Sequence, residues 1–328
     1  MAEAGERVLP PIEELRGGVG RSASLITRDR AIGVSCGILS VLLFSSFTLV
    51  SKLGLSSSLT LPDIAALRFG IGGLLLLPVL LRYGLAGVRW RDAAGLALFG
   101  GLGFALVAYA GFSLAPAAHG AVLLHGTLPL FTFAILSAIS SQASTAYRRI
   151  GILLIAAGIL LMAFESWAGA TTRQLAGDGF LLLASLFWSA YGVLARRLGL
   201  PPAQGAAIVA VVSMCCFLPV YAFLPGKALF LIGARELLLQ AVVQGVLIGA
   251  VSIFVYTRAV AALGPATTAL FTAAVPCVTT LAAMPLLSEY PSHVGSIGVG
   301  VVTLGMVVTL RRREKQIAAP KGLPGEPT

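Results

Sequence analysis

An arginine stands inside a long apolar stretch of this sequence, at position 68. The run from Pro62 to Leu81 carries only two charged residues, Asp63 and Arg68. A guanidinium group in hydrocarbon costs at least about 2.5 kcal/mol unless it faces protein, water or an anion, so Arg68 should point inward. Two roles fit this position. Arg68 either holds neighbouring carbonyl groups or Asp63, or it contacts an anionic group of a substrate directly.

Two histidines occupy another apolar stretch. His125 falls well inside the run from Ala117 to Ser141, and His119 lies near its start. An imidazole titrates near neutral pH and can relay a proton, so each residue is a candidate for proton coupling. A lone histidine in an apolar helix is more often a hydrogen-bonded packing residue, and that alternative stays open for both.

Aromatic and proline residues give further candidates. Four aromatic side chains with a polar atom occur in apolar runs, namely Tyr109, Trp188, Tyr191 and Tyr256. Such rings can stack on an organic ligand, although packing in the core is their more usual role. Pro129 and Pro276 lie inside two other runs, where each removes a backbone hydrogen bond. We therefore predict kinks, and candidate hinges, at these two prolines.

No catalytic motif accompanies these residues. Gly100-Gly101-Leu102-Gly103 lacks the Lys-Ser/Thr of a phosphate loop, and the sequence contains no HExxH, no Gly-x-Ser-x-Gly elbow and no cysteine pair with metal-ligand spacing. We expect no cofactor, no metal and no enzyme activity. The alternative is a membrane enzyme that acts on a lipid-linked substrate with Arg68 and His125 as its polar site. A channel or scramblase would need a polar stripe, which the apolar runs lack.

The composition excludes an ordinary water-soluble fold. Of the 328 residues, 57% are hydrophobic and 11% are charged, with a mean hydropathy of +0.94; soluble domains carry roughly 25% charged residues. The lipid bilayer must therefore be the solvent for most of the chain. Despite the net charge of +10, the basic residues form short clusters between apolar runs. This arrangement reports membrane topology and does not indicate a nucleic-acid partner.

Ten apolar runs are long enough to be membrane-spanning helices, which need about 20 residues each. The runs are Ala31 to Leu53, Pro62 to Leu81, Ala93 to Ser113, Ala117 to Ser141, Ile150 to Trp167, Gly179 to Ala195, Gln204 to Leu224, Leu237 to Val260, Pro265 to Leu287 and Ser292 to Leu310. The boundary between spans three and four rests on Ala115 and Pro116 alone. Asp178 precedes span six, where we expect it to cap the helix.

The basic residues sort to one side of a ten-helix arrangement. With a cytoplasmic amino terminus, 18 of the 23 fall on the cytoplasmic side, four on the other side, and Arg68 within a span. Because cytoplasmic loops are enriched in Lys and Arg, both termini should face the cytoplasm of a cell (plasma or inner) membrane. Residues 1–30 and 311–328 are then a cytoplasmic amino-terminal segment and a cytoplasmic tail.

The second half of the chain repeats the first. At an offset of 147 residues the matching pairs include Tyr109 and Tyr256, Pro129 and Pro276, Gly151 and Gly298, and Gly158 and Gly305. Phe44-Ser45-Ser46-Phe47 resembles Trp188-Ser189-Ala190-Tyr191 at an offset of 144. Five spans per unit is an odd number, so units 31–167 and 177–310 enter the membrane with opposite orientations. We predict an all-α integral membrane protein of ten transmembrane helices in two inverted five-helix repeats. Its paired glycines favour close helix contacts, with a homodimer as a further option.

These residues resemble the drug/metabolite transporter superfamily, specifically its EamA-type carriers. The resemblance covers about Ala31 to Leu310, and its strongest segments are Leu61 to Phe69, Tyr256 to Pro276, and Ser288-Glu289. Ser288-Glu289 stands where such families usually have Gly-Glu, and the first unit departs further, with Ser141-Gln142. The resemblance implies a secondary transporter of a small organic metabolite or drug that works by alternating access, more often in efflux. It does not specify the substrate.

Overall fold

The computed structural model describes residues 12–56, 59–85, 87–116, 119–139, 146–167, 171–287 and 293–318. These residues form helices and connecting segments without any β-strand. Ten helices follow the ten predicted spans: α1 (Ile12–Ser56), α2 (Leu61–Tyr83), α3 (Trp90–Leu114), α4 (Gly120–Ile139), α5 (Ala146–Trp167), α6 (Thr172–Leu198), α7 (Pro202–Phe223), α8 (Ala234–Leu263), α9 (265–287) and α10 (His293–Ala318).

The lengths of these helices fit a bilayer. Within the described residues, eight helices are long and apolar enough to cross it. Helix α5 has 22 residues, and α10 contains a shorter apolar segment, His293–Thr309. The membrane fold expected from the sequence is thus confirmed. Three boundaries differ by seven residues or more: α1 begins at Ile12 rather than near Ala31, α6 begins at Thr172 rather than near Gly179, and α10 ends at Ala318 rather than near Leu310. Ser141-Gln142 and Ser288-Glu289, which carry part of the family resemblance, lie outside the described residues.

Two capping boxes start helices α2 and α6. Thr60 and Asp63 exchange hydrogen bonds at the start of α2, and Thr171 and Gln174 do the same at the start of α6. Each box satisfies backbone N–H groups that have no partner inside the helix. The expectation that Asp178 caps α6 was wrong, because Asp178 lies in the second turn of that helix.

The helix contacts reveal a pseudo-twofold axis between the two repeats. Helices α1 to α5 of the first repeat correspond to α6 to α10 of the second. The contact of α1 with α8 therefore corresponds to that of α6 with α3, and the contact of α2 with α8 to that of α7 with α3. The contact of α1 with α9 corresponds in the same way to that of α6 with α4. The remaining major contacts join equivalent helices directly, namely α2 with α7, α4 with α9 and α5 with α10. Each contact therefore has a partner under exchange of the two repeats, as an inverted duplication requires.

Equivalent residues meet at this axis. The hydroxyl of Thr272 donates to the carbonyl oxygen of His125, 147 residues earlier, over 3.3 Å. Helices α5 and α10 cross with their glycines in opposite order, so that Gly151 lies against Gly305 and Gly158 against Gly298. This antiparallel crossing is the close contact between small residues that the glycine spacing predicts.

Most of the described arginines lie at one face of the bundle, which we call the basic face. It carries residues 28–30 of α1, the ends of α2, α4, α6 and α8 and the starts of α3 and α5, with Arg28, Arg30, Arg82, Arg89, Arg91, Arg149, Arg196, Arg197 and Arg258. An ion pair between Arg258 of α8 and Asp29 of α1 joins two helices at this face. The opposite face carries Lys52, Arg173, Lys227 and Arg235.

Four helices near the axis are irregular at related depths. Helix α3 is interrupted at Gly101, and its counterpart α8 is π-helical over Ala241–Val251. Helix α4 is π-helical over Gly120–Gly126, and α9 is interrupted between Thr272 and Val275. Pro129 and Pro276 are the second residues of the helical segments that follow the latter two irregularities. A proline fits there because the first turn needs no N–H donor.

A leucine at position 158 should separate α5 from α10. A Cβ atom on Gly158 would lie 2.7 Å from Cγ2 of Val302 and 2.8 Å from the carbonyl oxygen of Gly298. Overpacking of this kind costs roughly 1–3 kcal/mol. We expect Gly158→Leu to lower the melting temperature of the purified protein. Gly300→Leu is the control, because Gly300 lies on α10 with open space beside it. Equal melting temperatures for both variants would contradict this packing.

Candidate functional site

A small cavity lies between the two repeats, at the centre of the bundle. Its empty volume is about 230 Å³, and in this conformation it has room for about one water molecule. Helices α1, α2, α3, α4, α6 and α8 supply its walls, with Phe44, Phe47, Arg68, Phe104, Leu124, His125, Trp188, Ile248 and Ser252. We call these residues the central site. In this conformation the site is closed to both faces, since Arg68 and His125 are each only 1% exposed.

Arg68 dominates the electrostatics of the central site. Its guanidinium carbon lies 5.3 Å from the ring centroid of Phe47 and 5.4 Å from that of Phe104. The Nη1 and Nη2 atoms are buried and have no hydrogen-bond partner among the described residues. Cation–π contact offsets only part of the cost of burying a cation. The central site therefore contains a buried positive charge that a bound anion can neutralise.

Asp63 does not pair with Arg68, although the sequence left this pairing open. One Asp63 oxygen accepts from the Tyr221 hydroxyl at 2.6 Å, and the other accepts from the Ala228 backbone N–H at 3.1 Å. The second oxygen also accepts from Thr60, whose hydroxyl lies 2.6 Å away. Asp63 thus ties the start of α2 to the end of α7 and the segment after it.

Two more groups of the central site lack partners. The His125 ring stacks on Phe44 with centroids 5.2 Å apart, and its Nδ1 atom has no partner among the described residues. Trp188 packs against Phe104 at 4.5 Å and edge-on against Phe44 at 5.5 Å. Its Nε1 donor is likewise unpartnered in the described part of the chain. Buried polar groups are normally hydrogen-bonded, so His125 and Trp188 are, beside Arg68, candidates for contact with a ligand.

The three tyrosines singled out from the sequence surround the central site rather than lining it. The Tyr109 hydroxyl donates to Gln244 over 2.9 Å, and Gln244 in turn donates to Ser51. The Tyr191 hydroxyl lies 2.6 Å from the Thr257 hydroxyl. The bonds of Tyr109 and Gln244 join helices α1, α3 and α8, and the contact of Tyr191 joins helices α6 and α8. They give Tyr109 and Tyr191 a structural part in the assembly.

Tyr256 differs from the other two tyrosines. Its ring lies 5.1 Å from Trp188 and 5.9 Å from Phe44. Its hydroxyl is buried without a partner in the described residues. Tyr256 thus contacts two residues of the central site through its ring.

His119 is far from this group in the fold. It precedes α4 at the opposite face, where its Nδ1 atom lies 2.6 Å from Oδ1 of Asp178 on α6. Both side chains are buried, at 6% and 7% exposure. The structure therefore separates His119 from Arg68 and His125, and gives it an inter-helical contact that joins the two repeats.

Two cations at equivalent positions join the helix ends, one at each face. Lys52, near the end of α1, donates to the carbonyl oxygens of Phe112 at 3.1 Å and Ala115 at 2.9 Å, where α3 ends at the opposite face. Arg196 follows Lys52 by 144 residues and lies near the end of α6. It donates to the carbonyl oxygen of Ala261, where α8 ends at the basic face. Cations suit helix carboxyl ends because unpaired carbonyl groups accumulate there.

A second cavity of about 320 Å³ lies at the basic face, between the ends of α6 and α8. Arg196 and Thr257 belong to its lining. Thr257 contacts Tyr191, and the Tyr191 ring lies 5.1 Å from Trp188 of the central site. Tyr191 thus contacts both a residue of the second cavity and a residue of the central site.

Sequence reasoning missed several residues of the central site. Phe44 and Phe47 carried a usable signal, because they align with Trp188 and Tyr191 in the repeat. Phe104, Leu124, Ile248 and Ser252 carried none, since apolar residues and serines are common throughout the spans. Only the packing of six helices reveals which of them face the axis.

Comparisons with known proteins agree with this architecture. One solved structure, described only as the crystal structure of a protein, shares 20% identity over 87% of this chain and 98% of its own, with a TM-score of 0.67. This likeness shows a common fold. No curated protein sequence matches the chain. The model of the EamA-like transporter family matches residues 31–164 and 175–311, once in each repeat. Because these matches cover most of the sequence, the protein is a member of the EamA-like transporter family.

Proposed function

We propose that the protein is a secondary transporter that moves a small organic solute across the cell membrane by alternating access. The observation that supports this proposal best is the central site. It lies on the axis between two inverted repeats, it contains orphan polar groups, and it is closed to both faces. Midplane sites between inverted repeats are typical of secondary transporters. Membership in a transporter family supports the same conclusion.

In this proposal the central site is the middle of the transport pathway. Arg68, His125 and Trp188 contact the solute, and Tyr256 joins them as the site opens. Tyr109, Tyr191 and His119 hold the walls of the pathway. The basic face is cytoplasmic, in accordance with the enrichment of Lys and Arg on that side. The breaks before Pro129 and Pro276 act as paired hinges, and the direction of net transport is export.

Reconstitution in liposomes tests this proposal. The full-length protein is incorporated without any nucleotide, and labelled organic anions, amino acids and cationic drugs are offered with and without a pH gradient. We expect one chemical class to accumulate in protein-containing vesicles and to exchange with unlabelled solute inside. A dependence on the pH gradient would assign proton coupling. Chemical conversion of a solute without its movement across the membrane would support a membrane enzyme and overturn the proposal.

A further inference from the structure

We infer that the transported solute is an organic monoanion, with one carboxylate or similar oxyanion group, an apolar body and no cationic group. This inference rests on the proposed transport function. It concerns the chemistry of the central site, which is asymmetric in charge. Helix α7, the counterpart of α2, contains no Asp, Glu, Lys or Arg, so Arg68 has no cationic equivalent in the second repeat.

The charge balance of the central site requires a single negative charge. Arg68 is its only formally charged lining residue. No carboxylate lies within 4.0 Å of the guanidinium among the described residues, and Asp63 is engaged elsewhere. A buried cation without a counter-ion is costly, and a bound anion removes that cost. A carboxylate suits the site because it can accept from both Nη atoms of the planar guanidinium.

The hydrogen-bonding groups point the same way. Arg68 and the Trp188 Nε1 atom can only donate hydrogen bonds. The Ser252 hydroxyl donates its hydrogen to the carbonyl oxygen of Ile248 at 2.7 Å. An ammonium group would therefore meet the Arg68 cation and the Trp188 donor, with the Ser252 hydroxyl oxygen and, in one tautomer, Nδ1 of His125 as its acceptors. This lining disfavours amines and zwitterions relative to a simple carboxylate.

The aromatic walls of the central site indicate the shape and polarity of the rest of the solute. Phe47 and Phe104 cover the guanidinium, while Phe44 and Trp188 stand edge to face beside it. Aromatic walls of this kind contact a flat apolar body through offset and edge-to-face packing. A hydrophilic anion such as inorganic phosphate would leave these walls unused and would bring a second charge that Arg68 cannot balance.

A series of probes built on one skeleton tests the inference. The probes are 3-phenylpropanoate, phenylalanine, 2-phenylethylamine and inorganic phosphate, which present an anion, a zwitterion, a cation and a free oxyanion. Binding to the purified full-length protein is measured by thermal shift and calorimetry, separately from transport. We expect 3-phenylpropanoate to bind at least about tenfold more tightly than each of the others, because a charged hydrogen bond contributes about that factor.

Variants assign this preference to the central site. Arg68→Met should abolish the preference for the carboxylate. Arg68→Lys keeps a positive charge at this position, so it should fold and retain part of the preference. Trp188→Phe, which removes one donor and keeps an aromatic ring, should weaken carboxylate binding severalfold. Equal or tighter binding of phenylalanine or the amine, or carboxylate binding unchanged in Arg68→Met, would overturn the inference. Transport of the amine would overturn the inference about the solute but would leave the proposed transport function intact. Binding of the carboxylate without any transport would count against the proposed transport function alone.

Discussion

Replacement of Arg68 by methionine is expected to lower transport in liposomes by at least about 30-fold, because loss of one partner of a buried charge pair costs about 2–5 kcal/mol. Both Nη atoms are unpartnered among the described residues when no ligand is bound, so the solute takes the place of a protein counter-ion. Methionine preserves much of the apolar volume but offers neither charge nor donors.

The same variant should unfold at an equal or higher temperature than the natural protein. Substitution of a buried charged group by an apolar one of similar volume is often neutral or stabilising, by about 1–4 kcal/mol for buried ion pairs. Transport and the melting temperature are measured on the same preparation. The control is Arg82→Met on the same helix, whose side chain is exposed at the basic face. A large loss of stability in Arg68→Met would instead assign Arg68 the structural role that the sequence left open.

The sequence was most informative where the bilayer imposes a simple rule. Apolar length and the placement of Lys and Arg predicted ten helices, and the repeat of Tyr109 in Tyr256 predicted the inverted architecture. Arg68 stood out for the same reason, since a charge in an apolar run is expensive. These signals are local or periodic, and can be read without knowledge of packing.

Contacts between distant helices were beyond such reasoning. Asp178 was expected to cap α6, yet the Thr171 and Gln174 capping box does so, and Asp178 contacts His119, 59 residues earlier. The motif at 171–174 was present in the sequence and should have been preferred. The π-helical segments of α4 and α8 leave no comparable pattern in the sequence.

Symmetry and asymmetry have separate roles in this molecule. The contacts within and between the two repeats occur in related pairs, as an inverted duplication requires. Arg68 occurs in only one repeat, so the buried charge of the central site lies off the axis, beside Phe47 and Phe104. Evolution of the binding chemistry in such a scaffold needs only one repeat to change.

Removal of Lys52 or Arg196 should shift the access of the central site in opposite directions. In the proposed cycle the pathway opens at one face at a time, and the bonds of Lys52 to Phe112 and Ala115 must break for the opposite face to open. The bond of Arg196 to Ala261 must break for the basic face to open. Because Arg196 is exposed and Lys52 is only partly buried, each of these bonds contributes about 1 kcal/mol, and each substitution should change the balance about fivefold.

Cysteine labelling measures this shift. In a background without the four natural cysteines, Ser51→Cys reports on the opposite face and Val260→Cys on the basic face; both positions are buried in the closed structure. We expect Arg196→Met to accelerate labelling at position 260 and slow it at position 51, and Lys52→Met to do the reverse. Arg197→Met, which replaces the exposed neighbour of Arg196, should change neither rate. If both substitutions accelerate labelling at both positions, the two cations merely stabilise the fold, because a general loosening exposes both faces together whereas an alternating pathway must close one face as it opens the other.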